Sequence, residues 1–427
     1  MKALVRPRKS HDIYSRCGLI IIVFLSMLCF EAEAQYWPNK FGKGLEFGYP
    51  SDTTSERFQK MEGNVSNFNL KLGFRFQNLY TGEWEVNEGS LENYEGAFLV
   101  RRARLKFDGW ALSKKLKFKM ELGLSNRDLS GGSGPEFRKA SNLVLDASLS
   151  WNFYKNFIIQ LGQGKLPGNR ERIISSGNMQ FVDRSRLNSR FTLDRDFGIQ
   201  IKNHNKIGNN FIIKEVIAIS QGEGRNVTAG DFNGYGYTFK VEVYPFGNFV
   251  GSKGAYKGAD LKKSTTPKLA IAAAYDINVN AVRERGQLGD FIMTEDAYFG
   301  KTLQTYFIDL MFKYQGFSLM AEYADRKTQD GNPTIVDPAD EVIGTFYTGK
   351  GLNVQMGYLF YKNWEIAFRY TDINPDKEVA EEENYYTVGL SKYIVGHKLK
   401  VQTDYTYLQN STSTDNIIFR TQVDFHF

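Results

Sequence analysis

Cysteine is nearly absent from this chain of 427 residues, because only Cys17 and Cys29 occur and both lie near its start. A disulfide framework or a thiolate metal site is therefore excluded for everything that follows them. No apolar run of about 18 residues or more occurs beyond that point, which excludes a membrane-spanning helix. An excess of one charge is lacking too, since 54 Lys and Arg stand against 48 Asp and Glu. This balance is too even to indicate nucleic-acid binding.

Histidine is scarce as well, and the three that follow residue 34, His204, His397 and His426, are far apart in the sequence. Such spacing does not supply a cluster of metal ligands. The nucleophile elbow Gly-x-Ser-x-Gly is also missing, which removes one usual sequence sign of a lipase. We therefore predict neither a cofactor nor an enzymatic activity.

The first 34 residues have the order of a secretory signal peptide. Basic residues crowd positions 2–16, an apolar run covers 18–30, and an Ala-Glu-Ala cleavage site ends at Ala34. A lipoprotein signal at Cys29 is disfavoured because the preceding residue, Leu28, is large. We predict cleavage after the Ala-Glu-Ala site.

Aromatic residues and glycine are abundant, with 33 Phe, 24 Tyr and 40 Gly against 10 Pro. Residues 417–427 show how the aromatic residues are used, because apolar side chains at odd positions alternate with mostly polar ones. This period of two predicts a strand. Since the strand ends on Phe427 and would leave an apolar edge open, it fits the closing strand of an outer-membrane barrel better than a strand of a soluble sandwich.

The same alternation recurs along the chain and predicts sixteen strands. They lie near 68–76, 102–108, 116–124, 143–151, 157–161, 197–203, 211–220, 235–244, 269–277, 306–314, 317–325, 352–360, 364–371, 386–393, 399–407 and 417–427. Connections after odd-numbered strands are mostly long, including one predicted near 77–97, and those after even-numbered strands are mostly short. This is the pattern of outer-membrane barrels. One long connection, 245–268, follows an even-numbered strand and breaks the pattern.

The longest connection, residues 165–196, is unusually basic. Apolar residues within it, such as Ile174, Phe181 and Leu187, require burial and argue against disorder. A barrel of sixteen strands is too wide for its own side chains to fill. We therefore expect this loop to fold into the lumen. The basic side chains that it would bring to the pore are Lys165, Arg170, Arg172 and Arg184.

Strand parity predicts that Arg102, Arg104 and Lys106 face water, because the residues between them are apolar. Cations at this spacing, about 7 Å apart, would line a path for anions. Guanidinium groups suit such a path because they bind oxyanions and are weakly hydrated. The alternative is that these arginines pair with carboxylates and hold the loop in place. The loop-anchoring ion pairs that we predict involve Asp183, Arg195 and Asp196.

Five segments carry a family resemblance. They are RRARLKFDGW (101–110), GQGKLPGNRE (162–171), DRSRLN (183–188), RDFGIQI (195–201) and VEVYPFG (241–247). In this order they resemble the phosphate-selective porin O and P family over nearly the whole mature chain. The resemblance implies a sixteen-stranded trimeric porin whose third loop folds into the pore and whose basic residues line an anion path.

We predict that residues 35–427 form an all-β, transmembrane antiparallel barrel of about 16 strands with a long third loop in the pore. The protein would lie in the outer membrane of a Gram-negative bacterium with both termini periplasmic, and the family resemblance implies that it is a homotrimer. It would give passive diffusion to small solutes and prefer anions, phosphate or similar oxyanions among them. The alternative is a plugged barrel that acts as a binding or receptor component.

Overall fold

The alternating segments form strands that close into one barrel. The computed structural model describes residues 45–48, 68–130, 135–138, 141–228, 234–251, 253–295, 297–411 and 414–427. The predicted signal peptide, residues 1–34, lies outside the described residues, so its cleavage stays a prediction. Among the helices that are described, none is long and apolar enough to cross a membrane.

Nineteen strands are described, and sixteen of them form the barrel wall. The strands are β1 (Leu45–Gly48), β2 (Phe68–Asn87), β3 (Ser90–Ala111), β4 (Ser113–Gly123), β5 (Val144–Tyr154), β6 (Phe157–Lys165), β7 (Arg195–Ile207), β8 (Phe211–Ser220), β9 (Gly236–Tyr244), β10 (Lys268–Ala281), β11 (Lys301–Tyr314), β12 (Phe317–Thr328), β13 (Thr334–Val336), β14 (Val342–Thr345), β15 (Gly349–Leu359), β16 (Trp364–Pro375), β17 (Glu383–Tyr393), β18 (Leu399–Asn410) and β19 (Asp415–His426). The α-helices are α1 (Asn126–Leu129), α2 (Arg170–Ile173) and α3 (Arg186–Phe191), and single 3-10 turns span Pro135–Phe137, Ser176–Asn178, Gly254–Tyr256 and Tyr361–Asn363.

Closure occurs where β19 pairs antiparallel with β2, over Asp415–His426 on one side and Arg75–Val86 on the other. The seam continues to the last residue, because Phe427 N–H donates to the Phe74 carbonyl at 3.1 Å. The wall therefore has no free edge, and the predicted barrel of sixteen antiparallel strands is confirmed. In addition to the sixteen wall strands, β1 joins the same sheet by pairing with the first residues of β2, and β13 and β14 form a separate hairpin between β12 and β15.

The wall is polar inside and apolar outside. On β18 and β19, the inward Gln402, Asp404 and Asp424 are at most 1% exposed, whereas the outward Tyr405 and Val423 are 42% and 45% exposed. This is the reverse of a soluble protein and follows from the alternation of side chains along each strand. The local period of two thus decides which residues face lipid.

The first hairpin differs from the prediction. Instead of a long loop near 77–97, β2 and β3 continue to a two-residue turn at Glu88 and Gly89, with φ of 48° and 82°. Positive φ at both positions gives the twist that a tight hairpin needs. Aromatic contacts hold the extension together, since the Trp84 and Tyr94 rings pack at a tilt with their centroids 4.9 Å apart. Cross-strand aromatic pairs therefore replace the predicted loop.

The connection between β6 and β7, residues 166–194, folds into the barrel as predicted; we call it the constriction loop. Its Leu187 and Phe191 are fully buried and pack with Ala274, Phe307 and Ala324 of the inner wall. Small wall residues beneath a large aromatic ring make room for the loop. Burial of these apolar side chains stabilises the loop inside the barrel.

Candidate functional site in the barrel lumen

A cavity of about 1610 Å³ lies beside the constriction loop. Its lining includes Asn156 and His204 near the short turns at one barrel end, and Arg285 and Leu288 in the long connections at the other. The loop therefore narrows the lumen without filling it.

The constriction loop is closed on itself by Glu171 and Ser185. The Glu171 carboxylate accepts hydrogen bonds from Ser185 N–H at 3.0 Å and from the Ser185 hydroxyl at 2.5 Å. The same hydroxyl accepts from Asn188 N–H at 3.2 Å and so caps α3, the role in which serine is preferred. These bonds join α2 to α3 and fix the fold of the loop.

Carboxylates of the β9–β12 wall hold the loop. Arg170 is 0% exposed and donates to Asp309 at 2.7 Å and to Glu242. Glu322 accepts from the backbone N–H of Glu171 at 2.6 Å. Further along the wall, Glu365 accepts from Gln180, Asp404 accepts from the backbone N–H of Val182, and Glu383 accepts from Arg186 and Arg190. The loop thus occupies the acidic groups of one side of the barrel.

The side that stays open is strongly basic. Among the residues that the structure describes, twenty-two Lys and Arg line the cavity against eight Asp and Glu, whereas the whole chain has 54 against 48. The folded structure therefore separates charges that the sequence mixes evenly. Fixed charges of one sign in a narrow, low-dielectric passage raise the local concentration of the opposite ion.

A β-bulge in β3 adds one arginine to the lumen. Gln77 pairs with Arg102 while Asn78 pairs with Val100, so Arg101 has no residue opposite it. Both arginines then point inward to Asp183 of the loop, with nitrogen–oxygen distances of 2.9 Å and 3.4 Å. Strand parity missed Arg101 because strict alternation places it on the lipid face.

Residues 70–425 match the sequence profile of the family described as phosphate-selective porin O and P. The chain belongs to this family. An uncharacterized protein of Aquifex aeolicus (strain VF5) is 24% identical to this porin over an alignment of 361 positions, which covers 77% of this chain and 80% of the relative. Family membership and the barrel fold make the protein an outer-membrane porin.

Solved porin structures share the fold of this porin. A loop L8 deletion mutant of OmpT from Vibrio cholerae superimposes with a TM-score of 0.51 at 10% identity, covering 84% of this chain and 99% of the other. The anion-selective porin from Comamonas acidovorans gives a TM-score of 0.50 at 11% identity, with coverage of 84% and 100%. Identities this low establish the architecture alone.

Six of the seven predicted pore residues of this porin line the cavity. They are Arg102, Arg104, Lys106, Lys165, Arg172 and Arg184. Several also have protein partners: Arg104 donates to Asp128 and Glu121, and Lys106 pairs with Asp108 at 2.7 Å. A guanidinium can face the lumen with one edge and bind a carboxylate with another, so these pairs leave Arg104 on the cavity lining; the carboxylates lie in β3, β4 and α1, outside the constriction loop.

Arg170 is the exception among the predicted pore residues. It is absent from the cavity lining, and its guanidinium is buried between Asp309, Glu242 and the constriction loop. The alternation of side chains along strands could not predict the position of Arg170, because this residue lies in a helix of the loop and its partners are distant in sequence. Arg170 attaches the loop to the wall.

The three residues predicted to anchor the loop have different partners. Asp183 bonds to Arg101 and Arg102, which ties the loop to β3. Arg195 pairs with Asp146 of β5 at 2.9 Å. Asp196 differs from the prediction, since it accepts a hydrogen bond from the backbone N–H of Gly222 at 2.6 Å and forms no ion pair among the described residues. Its partner is an amide because β7 brings it beside the β8–β9 connection.

Positive charge is crowded within the loop. Burial, together with repulsion from Arg184 and Arg195, lowers the pKa of Arg172 well below its usual range. Burial also lowers the pKa of Arg184 to about 10, although Glu171 and Asp183 oppose the shift. An anion in the lumen would relieve this repulsion.

Proposed function

We propose that this porin gives passive diffusion to small anions, with phosphate and similar oxyanions among its solutes. The observation that carries the proposal is the lining of the cavity, where twenty-two Lys and Arg face eight Asp and Glu. Net charge does not supply this preference, because the chain as a whole carries only +6. The preference would arise from charge focused in the constriction.

The burial of wall carboxylates supports this proposal. Asp309 and Glu322, which could attract cations in an open lumen, are at most 2% exposed beneath the constriction loop and do not line the cavity. Across the cavity, arginines provide planar forks that match the oxygens of phosphate. Their exchange between protein and solute partners would let an anion pass without being trapped.

The alternative of a plugged receptor barrel is less well supported, because the lining of the cavity includes residues near both barrel ends. We also propose a homotrimer with both termini in the periplasm. Family resemblance supports the trimer. The orientation is supported by Phe427 and the start of β2, which lie at the end with most of the short turns, the periplasmic end in such barrels.

The reversal potential in a planar bilayer tests the proposal. Under a potassium chloride gradient we expect a potential that indicates preference for chloride, and added inorganic phosphate should reduce the chloride current by competing for the same cations. A reversal potential at zero or of cationic sign would refute anion preference. Absence of any current would favour the plugged barrel.

The variant Arg184→Gln tests whether Arg184 contributes to the anion preference of the pore. The amide can still donate to one of the backbone carbonyls that Arg184 contacts, Glu171 O at 3.1 Å or Ile174 O at 2.9 Å, while the charge is removed. We expect a smaller chloride preference. Arg190→Gln is the matched control, because Arg190 lies in the same loop, pairs with Glu383 at 2.8 Å and is not part of the cavity lining. Equal shifts in both variants would contradict a specific role for the lining.

A further inference from the structure

The connection between β9 and β10, residues 245–267, lies at the end of the barrel where the other turns are short. We call it the inner connection. Lys313 of β11, only 3% exposed, holds it by donating to the carbonyls of Gly254, Lys257 and Ala259 at 3.1, 2.8 and 2.9 Å. A buried ammonium that bonds three carbonyls fixes a backbone firmly. The inner connection is therefore fixed to the inner face of the barrel wall.

The inner connection meets the constriction loop, although the two enter the barrel from opposite ends. Gly258 N–H donates to the Asn178 carbonyl at 2.8 Å. The backbones are so close that a Cβ on Gly258 would lie 2.8 Å from the backbone nitrogen of Gln180. Only glycine allows this approach without a backbone shift.

Arg170 joins the same contact. Its Nη1 donates to the Ala255 carbonyl at 3.3 Å, and its guanidinium lies 5.6 Å from the centre of the Tyr256 ring. Tyr256 in turn donates its hydroxyl proton to Glu242, which also binds Arg170. One buried guanidinium thus links the loop, the wall and the inner connection.

Apolar packing completes the junction. Phe249 and Ala255 of the inner connection are buried in one cluster with Ile174 and Met179 of the constriction loop, and Tyr256 packs against it. Movement of either segment would open a gap in this cluster, which is costly in a close-packed interior. The two segments are therefore mechanically coupled.

We propose that the inner connection is a brace that positions the constriction loop and so sets the conductance of the pore. The inference rests on the proposed function, since it requires a conducting channel. Gly258 and Arg170 act as positioning residues in this role. The inner connection also contributes Lys253 and Tyr256 to the cavity lining, so its position affects the passage directly.

Gly258→Ala tests the brace in the full-length protein. The added methyl group meets backbone atoms of the loop, while Lys313 keeps the inner connection on the wall, so the loop must yield. We expect a changed single-channel conductance, greater open-channel current noise and faster tryptic cleavage within 166–194. Thr265→Ala, an exposed position of the same connection, should match the wild type in all three.

A second variant keeps the test decisive if Gly258→Ala assembles poorly. Replacement of residues 246–267 by an Asn-Gly turn should still allow closure, because other hairpins at this barrel end have comparably short turns. We expect larger conductance, greater noise and faster cleavage of the loop. Folded variants with wild-type noise and wild-type cleavage would overturn the brace. Lack of current in the wild-type protein would instead refute the proposed function, so the two failures are distinguishable.

Discussion

Replacement of Asp128 by asparagine probes the ion pair that anchors a pore arginine. Asp128 lies in α1, is 7% exposed, and accepts from Arg104 Nε at 2.8 Å and from Nη2 at 2.7 Å. Burial alone would raise the pKa of Asp128, but the hydrogen bonds and charge of Arg104 outweigh it and lower the pKa to about 2. The ionised form is therefore stabilised by the fold.

The contribution of the ionised Asp128 to stability follows from the thermodynamic linkage between proton binding and folding. A pKa lowered from 3.8 to about 2 corresponds to about 2 kcal/mol of stability at neutral pH. Because the folded pKa lies below the unfolded one, this stability is fully present above about pH 4 and is lost as the pH falls through about 2. Asp128→Asn should therefore lower the free energy of unfolding by about 2 kcal/mol at pH 7 and by almost nothing at pH 2.

Urea unfolding in lipid vesicles, followed by tryptophan fluorescence at both pH values, measures the difference. Asp330→Asn is the control, because the Asp330 side chain is 57% exposed in its pair with Lys301 and surface pairs contribute at most about 1 kcal/mol. The reasoning is refuted if Asp128→Asn equals the wild type at pH 7, or if its deficit persists at pH 2. In bilayers, an unbalanced Arg104 should also increase the chloride preference.

Two further predictions concern assembly. Leu149→Arg, at a position 52% exposed on the outer face, should cost about 2–4 kcal/mol if it lies near the membrane midplane, whereas Ser150→Arg on the cavity lining should assemble normally; comparison of the folded fractions by semi-native electrophoresis checks this, and equal loss in both would contradict the assignment of faces. Deletion of Phe427 removes its N–H bond to Phe74 at 3.1 Å and its ring contacts with Phe74 and Phe425 at the seam, so we expect slower assembly into vesicles; an unchanged rate would show that the seam closes without its last residue.

The sequence by itself determined the barrel. Alternation with period two is a property of neighbouring residues, and it assigned lumen and lipid faces along strands such as 417–427 without knowledge of their partners. It also indicated that residues 165–196 fold inward, since their apolar side chains need burial that a solvated loop cannot give. Both inferences depend on local pattern and on the hydrophobic effect alone.

Only the tertiary structure decided which basic residues line the cavity. Arg170 bonds to Asp309, 139 positions away in sequence, and no local pattern reveals such a partner. A bulge in β3 directs Arg101 into the lumen. The inner connection, residues 245–267, contacts the constriction loop, which enters from the opposite end of the barrel. The physical reason is that a buried charge or polar backbone group needs a partner to offset the cost of its burial. Here the partner lies on a distant strand of the barrel.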